Sequence, residues 1–446
     1  MHTCRHWRQF VFASQRALHL RLFCTHGTPV RKRLSCWPTT LPIVVEYGGS
    51  LALDPPAPED ENNVIVALNQ SHRVTSINLT VTNPLMQKLS DIEGPFLELE
   101  DLILLSQDTS RLTLPSAFGC GTRRLRTLHL TRIAFFALPH LLYSSRNIID
   151  LQLHDVLNPW LLLPEALTDA LSGMAQLRSL SLHLLPIIDH IGIPPPSRTR
   201  FLLPALTHLN FQGITEYLER LVGGVDAPHL GAIEITFVFN GSQDESAYIS
   251  NLRKSIDRIA MHRSHRRVHI QVSEHGISVN WMKPGAPAYI KLQVSCERLS
   301  KQLSSMSRIL THFHSFYPGV EDLHISATRQ SIWEDSTLWP ELLTSFTGVK
   351  WLHVTADPST DIVLVLQQHG QPDKSVLPSL QKLYVVQPET RRVPLSETVE
   401  SLMISRSLSG HPIAVEYERL CQIDELYGAG TMYANFRRQY PLTRLK

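Results

Sequence analysis

Cysteine is scarce in these 446 residues, and its six copies are scattered: Cys4, Cys24, Cys36, Cys120, Cys296 and Cys421. No two stand in C-x-x-C spacing, so the chain offers neither a zinc knuckle nor a redox dithiol. Buried or idle thiols in a reducing compartment fit this usage. The expected location is therefore cytoplasmic or nuclear, and the sequons at Asn69, Asn78 and Asn240 are chance matches. Long apolar runs are missing too: nothing approaches the ~18 residues of a membrane span. Charge of one sign is not in excess, since 42 Lys and Arg oppose 40 Asp and Glu, leaving +2. No global field gathers nucleic acid or a membrane surface. The phrases of common catalysts are absent: no Walker A loop, no G-x-S-x-G, no H-E-x-x-H, no G-x-G-x-x-G. No catalytic residue, cofactor or enzymatic activity is expected.

What is present is a short apolar phrase: an aliphatic residue, two of any kind, a second aliphatic, one of any kind, a third apolar residue. It reads Val74-x-x-Ile77-x-Leu79, Leu99-x-x-Leu102-x-Leu104, Leu125-x-x-Leu128-x-Leu130 and Ile148-x-x-Leu151-x-Leu153. It continues as Leu177-x-x-Leu180-x-Leu182, Leu206-x-x-Leu209-x-Phe211 and Leu230-x-x-Ile233-x-Ile235. After a gap it returns at Val320-x-x-Leu323-x-Ile325, Val349-x-x-Leu352-x-Val354 and Leu380-x-x-Leu383-x-Val385. Within each block the starts are 23 to 31 residues apart. That period and pattern are those of a leucine-rich repeat. The expected fold is α/β: a horseshoe-like solenoid with a parallel concave sheet and convex helices. One repeat cannot bury its apolar face alone, whereas a stack of them buries a continuous core.

Helical spacing is readable between the phrases. Leu163-Leu167-Leu171-Met174 follows Pro164 at a helix start, and Ile214-Leu218-Leu221 runs up to Gly223-Gly224. Leu299-Leu303-Met306-Leu310-Phe313 gives the strongest helical pattern, and Leu338–Phe346 and Ile362–Gln368 follow the same logic. Leu18–Leu22 and Leu41–Tyr47 read as strands. Residues 25–40 read as loop, and Asp54–Asp60, with its prolines and acids, as an exposed loop. Between residues 236 and 298 the rhythm breaks. Val268–Val272, Ile277–Val279 and Ile290–Val294 alternate strictly without helices between them, which predicts a hairpin-like insert or irregular repeats. The expected organisation is 1–24, a short helix and linker; 25–60, an edge strand with loops; and 61–235, the first repeat block. The strand-rich insert at 236–298, the second block at 299–420 and a tail at 421–446 complete it.

Twenty-two histidines invite a metal reading. The best local clusters are His262-x-x-His265 with His269, and His312-x-His314. The first sits in a basic run and the second at an apolar helix end, so solvated or capping histidines are expected and no metal site. The run Met261–Val268 lacks interleaved aromatics and reads as a solvated loop, not a nucleic-acid contact.

The start of the chain is basic: seven Arg or Lys precede the first acid, Glu46. That composition fits a transit peptide, but a resemblance accounts for more of its residues. Cys4-Arg-His-Trp7-Arg-Gln-Phe10-Val11-Phe-Ala-Ser14, followed by Leu18-His-Leu20, resembles the closing segment of an F-box. With Leu41–Tyr47, Leu338–Leu352 and Ser409–Val415 in that order, most of residues 1–420 are similar to the F-box and leucine-rich-repeat proteins of mushroom-forming fungi. The resemblance implies a substrate receptor of a cullin-RING ubiquitin ligase, reached through a Skp-type adaptor. Trp7, Phe10 and Val11 correspond to what remains of the adaptor-binding helix. The F-box's first helix is not matched, so tight adaptor binding is not expected of this chain. The alternative is a repeat scaffold with no ligase link.

Whichever holds, the expected working surface is the open side of the sheet. Positions flanking the inner aliphatics alternate to that side. Among them His129, Gln152, Ser181 and Asn210 share one phrase position and are expected to touch a protein partner. Trp351 and Tyr384, larger and amphipathic, are expected to carry more of the affinity. The chain is expected to be a monomer that binds an unidentified protein.

Overall fold

The computed structural model describes residues 18–25, 27–48, 58–92, 94–106, 112–115, 118, 122–134, 138–155, 163–184, 200–238, 252–254, 256, 266–273, 276–282, 289–295, 299–313, 317, 319–327, 339–355, 362–367, 376–387 and 397–419. The chain divides into two compact units. The first comprises residues 1–210 with 223–229, the second 211–222 with 230–446.

All thirty aliphatic and aromatic positions of the ten phrases are buried, none more than 7% exposed. Their spacing explains this. The last two apolar residues of a phrase are two apart, so both enter one side of a strand, and the first packs beneath its entry. In the first unit the strands are β1 (Leu20–Phe23), β2 (Ile43–Tyr47), β3 (Val74–Val81), β4 (Asp101–Ser106), β5 (Thr127–Thr131), β6 (Asp150–His154), β7 (Ser179–His183) and the first half of β8 (His208–Gly213). They lie side by side in chain order, and the registers from β1 to β7 are parallel. Parallel neighbours need a crossover, and among the described residues short helices supply it after β1, β2, β3, β5 and β6.

The crossover helices have local causes. In α3 (Asn83–Ser90) Thr82 Oγ1 accepts the Leu85 N–H at 3.4 Å, and Pro84 fits the first turn. In α5 (Pro164–Ser172) Pro164 opens the first turn, and Leu167, Ala170 and Leu171 turn inward. Helix α4 (Leu138–Ser144) packs beside α5. Two helices depart from the sequence expectation. Residues 25–40 are not all loop: α1 (Val30–Cys36) follows Pro29, buries Val30 and turns Arg31, Lys32 and Arg33 outward. The acidic stretch ending at Asp60 runs into α2 (Pro58–Leu68), where Asp60 and Glu61 are buried. Glu61 is satisfied by Lys88 Nζ at 2.7 Å and the Thr82 hydroxyl at 3.1 Å. Acids in a first turn face the positive end of a helix, which composition alone disguised as a loop.

The second unit is built of β9 (Ala232–Val238), β10 (Arg267–Ser273), β11 (Gly276–Met282), β12 (Tyr289–Ser295), β13 (Asp322–Ala327), β14 (Trp351–Thr355), β15 (Lys382–Gln387) and β16 (Ala414–Arg419). The strand order is β9-β12-β11-β10-β13-β14-β15-β16. The strands predicted between 236 and 298 are therefore a three-stranded antiparallel meander laid into the sheet in reverse. Its outer members β12 and β10 pair parallel with β9 and β13. Helix α7 (Leu299–Thr311) packs on β11 and β12, burying Leu303, Met306 and Leu310 as its spacing predicts. The later crossovers are α8 (Trp339–Leu343), a helical turn at 362–367, and α9 (Glu397–Leu408).

A backbone ladder repeats with the phrase. In most phrases the residue after the first aliphatic donates its N–H to the equivalent carbonyl one phrase earlier: Arg126 to Glu100 at 2.7 Å, Ile149 to Arg126 at 2.7 Å and Arg178 to Ile149 at 2.8 Å. In the second unit Lys350 donates to Glu321 at 2.8 Å and Gln381 to Lys350 at 2.9 Å. Phrase and hydrogen bond thus advance together. Among the described residues no helix is long and apolar enough to cross a membrane.

Candidate binding face

Residues between the buried aliphatics stand on the other side of each sheet. In the first unit Ile103, His129, Gln152 and Ser181 occupy one register row across β4 to β7. Asp150 organises the polar part of it. His129 Nε2 lies 2.8 Å from Asp150 Oδ2, and the Gln152 amide donates to the same carboxylate at 3.3 and 3.4 Å. Burial works to raise the Asp150 carboxyl, but the His129 and Gln152 contacts, with a bond from Ser179, outweigh it and hold it below its ordinary value.

One step along, His154 and His183 stack with ring centroids 3.9 Å apart and planes at 8°. His154 Nε2 is 2.8 Å from Ser181 Oγ, and Asn210 Nδ2 lies 3.2 Å from His183 Nε2. An amide nitrogen can only donate, so in this contact His183 Nε2 is the acceptor. Burial, with the neighbouring imidazoles of His183 and His129, pulls His154 down to about 3. Ser181 is only 7% exposed, and its hydroxyl lies against His154. His129, Gln152 and Asn210 are half-buried, each held by a neighbour on the face.

The second unit carries a longer row. Glu234, Lys291, Asn280, His269, His324, His353, Tyr384 and Glu416 are in register across all eight strands. Two residues earlier on β10, β13, β14 and β15, a parallel row holds Arg267, Asp322, Trp351 and Lys382. The rings form a ladder. His324 stacks on His353 at 3.9 Å and 8°, and His353 on Tyr384 at 4.2 Å and 7°. His269 meets His324 edge-on at 6.5 Å and places Nε2 2.8 Å from Ser326 Oγ. Lys382 Nζ lies 4.8 Å from the Tyr384 ring centre and 2.7 Å from Glu416 Oε1. Trp351 is 38% exposed, and Tyr384 is half-buried. Large amphipathic rings on an open sheet are suited to anchoring a partner.

Beneath this ladder sits Asp322, which is 8% exposed. Arg267 Nε donates to its Oδ2 at 2.8 Å. Its Oδ1 faces His324 Nε2 at 3.0 Å and His353 Nε2 at 3.3 Å. Burial acts to raise the Asp322 carboxyl, but the two imidazoles overcome it and hold the group far below the carboxylate range. Burial lowers both His324 and His269 to about 4, so both are neutral at pH 7. A face position was legible in the sequence for Asp322, His324 and His353. Their convergence was not, because it joins two phrases rather than one local run.

Of the histidines that the sequence grouped, His262, His265 and His314 lie outside the described residues, as do Trp7, Phe10 and Val11. His269 faces His324, and His312 follows the last turns of α7. No protein-family model matches the chain, and no curated protein matches it.

Proposed function

We propose that this chain is a non-catalytic protein-recognition module: a leucine-rich-repeat protein, related to F-box receptors, whose open sheet face receives another protein. The observation that carries this reading is the division of each phrase. Its apolar positions are all buried, while the residues between them form in-register rows on the other side. Within each unit such stacking spends the core on stability and leaves the other face of the strands for a partner. By the same proposal, any ubiquitin transfer belongs to a cullin-RING ligase to which the receptor is tethered. Its partner residues are His129, Gln152 and Asn210 in the first unit and Trp351 and Tyr384 in the second, with Ser181 setting His154 in place.

The test compares partner capture by wild type and two double variants. One carries Gln152→Arg and Asn210→Arg; the other carries Trp351→Ala and Tyr384→Ala. The second is expected to lose the larger share, because buried aromatic anchors cost ~2 kcal/mol or more when truncated. If both variants keep their melting behaviour and every partner, recognition lies elsewhere on the chain.

A further inference from the structure

We propose that Asp322, His324 and His353 form a binding site for a first-row divalent transition metal of the zinc class. Three side chains would ligate it, and one coordination position would remain open. The proposal does not depend on the recognition function above.

The geometry comes first. Asp322 Oδ1 stands 3.0 Å from His324 Nε2 and 3.3 Å from His353 Nε2. Ligands held ~2.0–2.1 Å from a tetrahedral zinc are separated by ~3.3 Å along each edge of the tetrahedron. Two of the three edges are thus already at metal-binding length. The ligand atoms all lie within 4.8 Å of one another, so the third edge is within reach of the same metal once the ring nitrogens turn towards it.

The chemistry of the donors agrees. Asp322 Oδ1 is buried with the two imidazole nitrogens in front of it, a set of three donor atoms that a cation would complete. Arg267 binds the opposite oxygen and so turns Oδ1 towards the two nitrogens, the role an outer-shell partner plays for a ligating carboxylate. One carboxylate and two imidazoles suit zinc, cobalt or nickel better than calcium or magnesium, which prefer oxygen throughout. The strand pairing holds the set rigidly: Asp322 and His324 share one face of β13, and His353 stands in register with His324 on β14.

The test uses the full chain, stripped with a chelator and titrated with zinc ions by calorimetry and with cobalt ions by visible absorption. His353→Phe keeps a ring in the stack while removing a ligand. Asp322→Asn keeps the shape and removes the charge. His129→Phe, in the other unit, controls for the remaining histidines. Wild type and His129→Phe should bind one more equivalent than either site variant, and their cobalt complexes should show the intense d–d bands of a low-coordinate site. The site variants should lose that equivalent or weaken it by more than ~100-fold, beyond the cost of losing an outer-shell partner. Melting curves without metal establish that each variant is folded, and Asp322→Asn decides the matter if His353→Phe is unstable. Equal stoichiometry and affinity in wild type and a folded site variant would overturn the proposal. So would the absence of stoichiometric zinc binding in wild type.

Discussion

At the scale of the residue, what separates a structural position from a recognition position is one step along a strand. Leu128 and Leu180 are at most 2% exposed, while His129 between Leu128 and Leu130 reaches the other side. An aspartate at either leucine would bury a carboxylate with nothing to pair it, at a cost of several kcal/mol. Leu128→Asp and Leu180→Asp should therefore lower the urea midpoint of the first unit sharply or leave the protein aggregated. Unchanged melting would remove the basis for the repeat. The face residues should tolerate change far better. This distinction was legible in the sequence because period-two alternation is a property of the backbone, not of context. The contacts across the face were not. Ser181 lies beneath His154 because two neighbouring strands bring histidines into register, and no single phrase records that.

At the scale of the element, the sequence located what is periodic and misread what is capped or charged. The strands of the phrases and the helices α5, α6 (Thr215–Gly224) and α7 follow apolar spacing. Helix α1 has one buried residue, Val30, and α9 has few inward positions, so neither shows a spacing signal. The alternating segments of the insert were visible as strands, but their reversed order in the sheet comes from pairing. Gly276 shows how close that pairing is. A side-chain carbon built there would stand 2.3 Å from the Val294 carbonyl oxygen on β12. Gly276→Ala should push β11 away from β12 and destabilise the second unit by ~1–3 kcal/mol, the range for overpacking. A denaturation midpoint equal to wild type would show that the strands separate at no cost.

At the scale of the whole molecule, the histidines of the two faces act together on acid stability. His154 is held down to about 3, and His269 and His324 to about 4, against an ordinary 6.5. Below pH ~6.5 the unfolded chain takes up protons on these rings and the folded chain does not. Stability is therefore complete above pH ~6.5 and falls as the pH drops towards the folded values. Each group contributes at most ~1.4 kcal/mol per pH unit. Asp150 and Asp322, held below their ordinary values, add a loss of the same sign at lower pH still. The urea midpoint should fall between pH 7 and pH 5, and His154→Gln should flatten the slope. A midpoint independent of pH over that interval would mean that the rings are charged in the folded protein too.

The reversed meander also sets a timetable for synthesis. Strand β9 emerges from the ribosome well before its parallel neighbour β12, since Ala232 pairs with Tyr289. Strands β10 and β11 pair antiparallel up to Ser273 opposite Gly276, so both partners of this hairpin emerge in close succession. Local pairs form early, and distant ones wait for the chain. Strand β9 thus spends the translation of β10 and β11 without the neighbour it will have. Its edge is covered only once β12, which also pairs with β11, has been made and lies beside it.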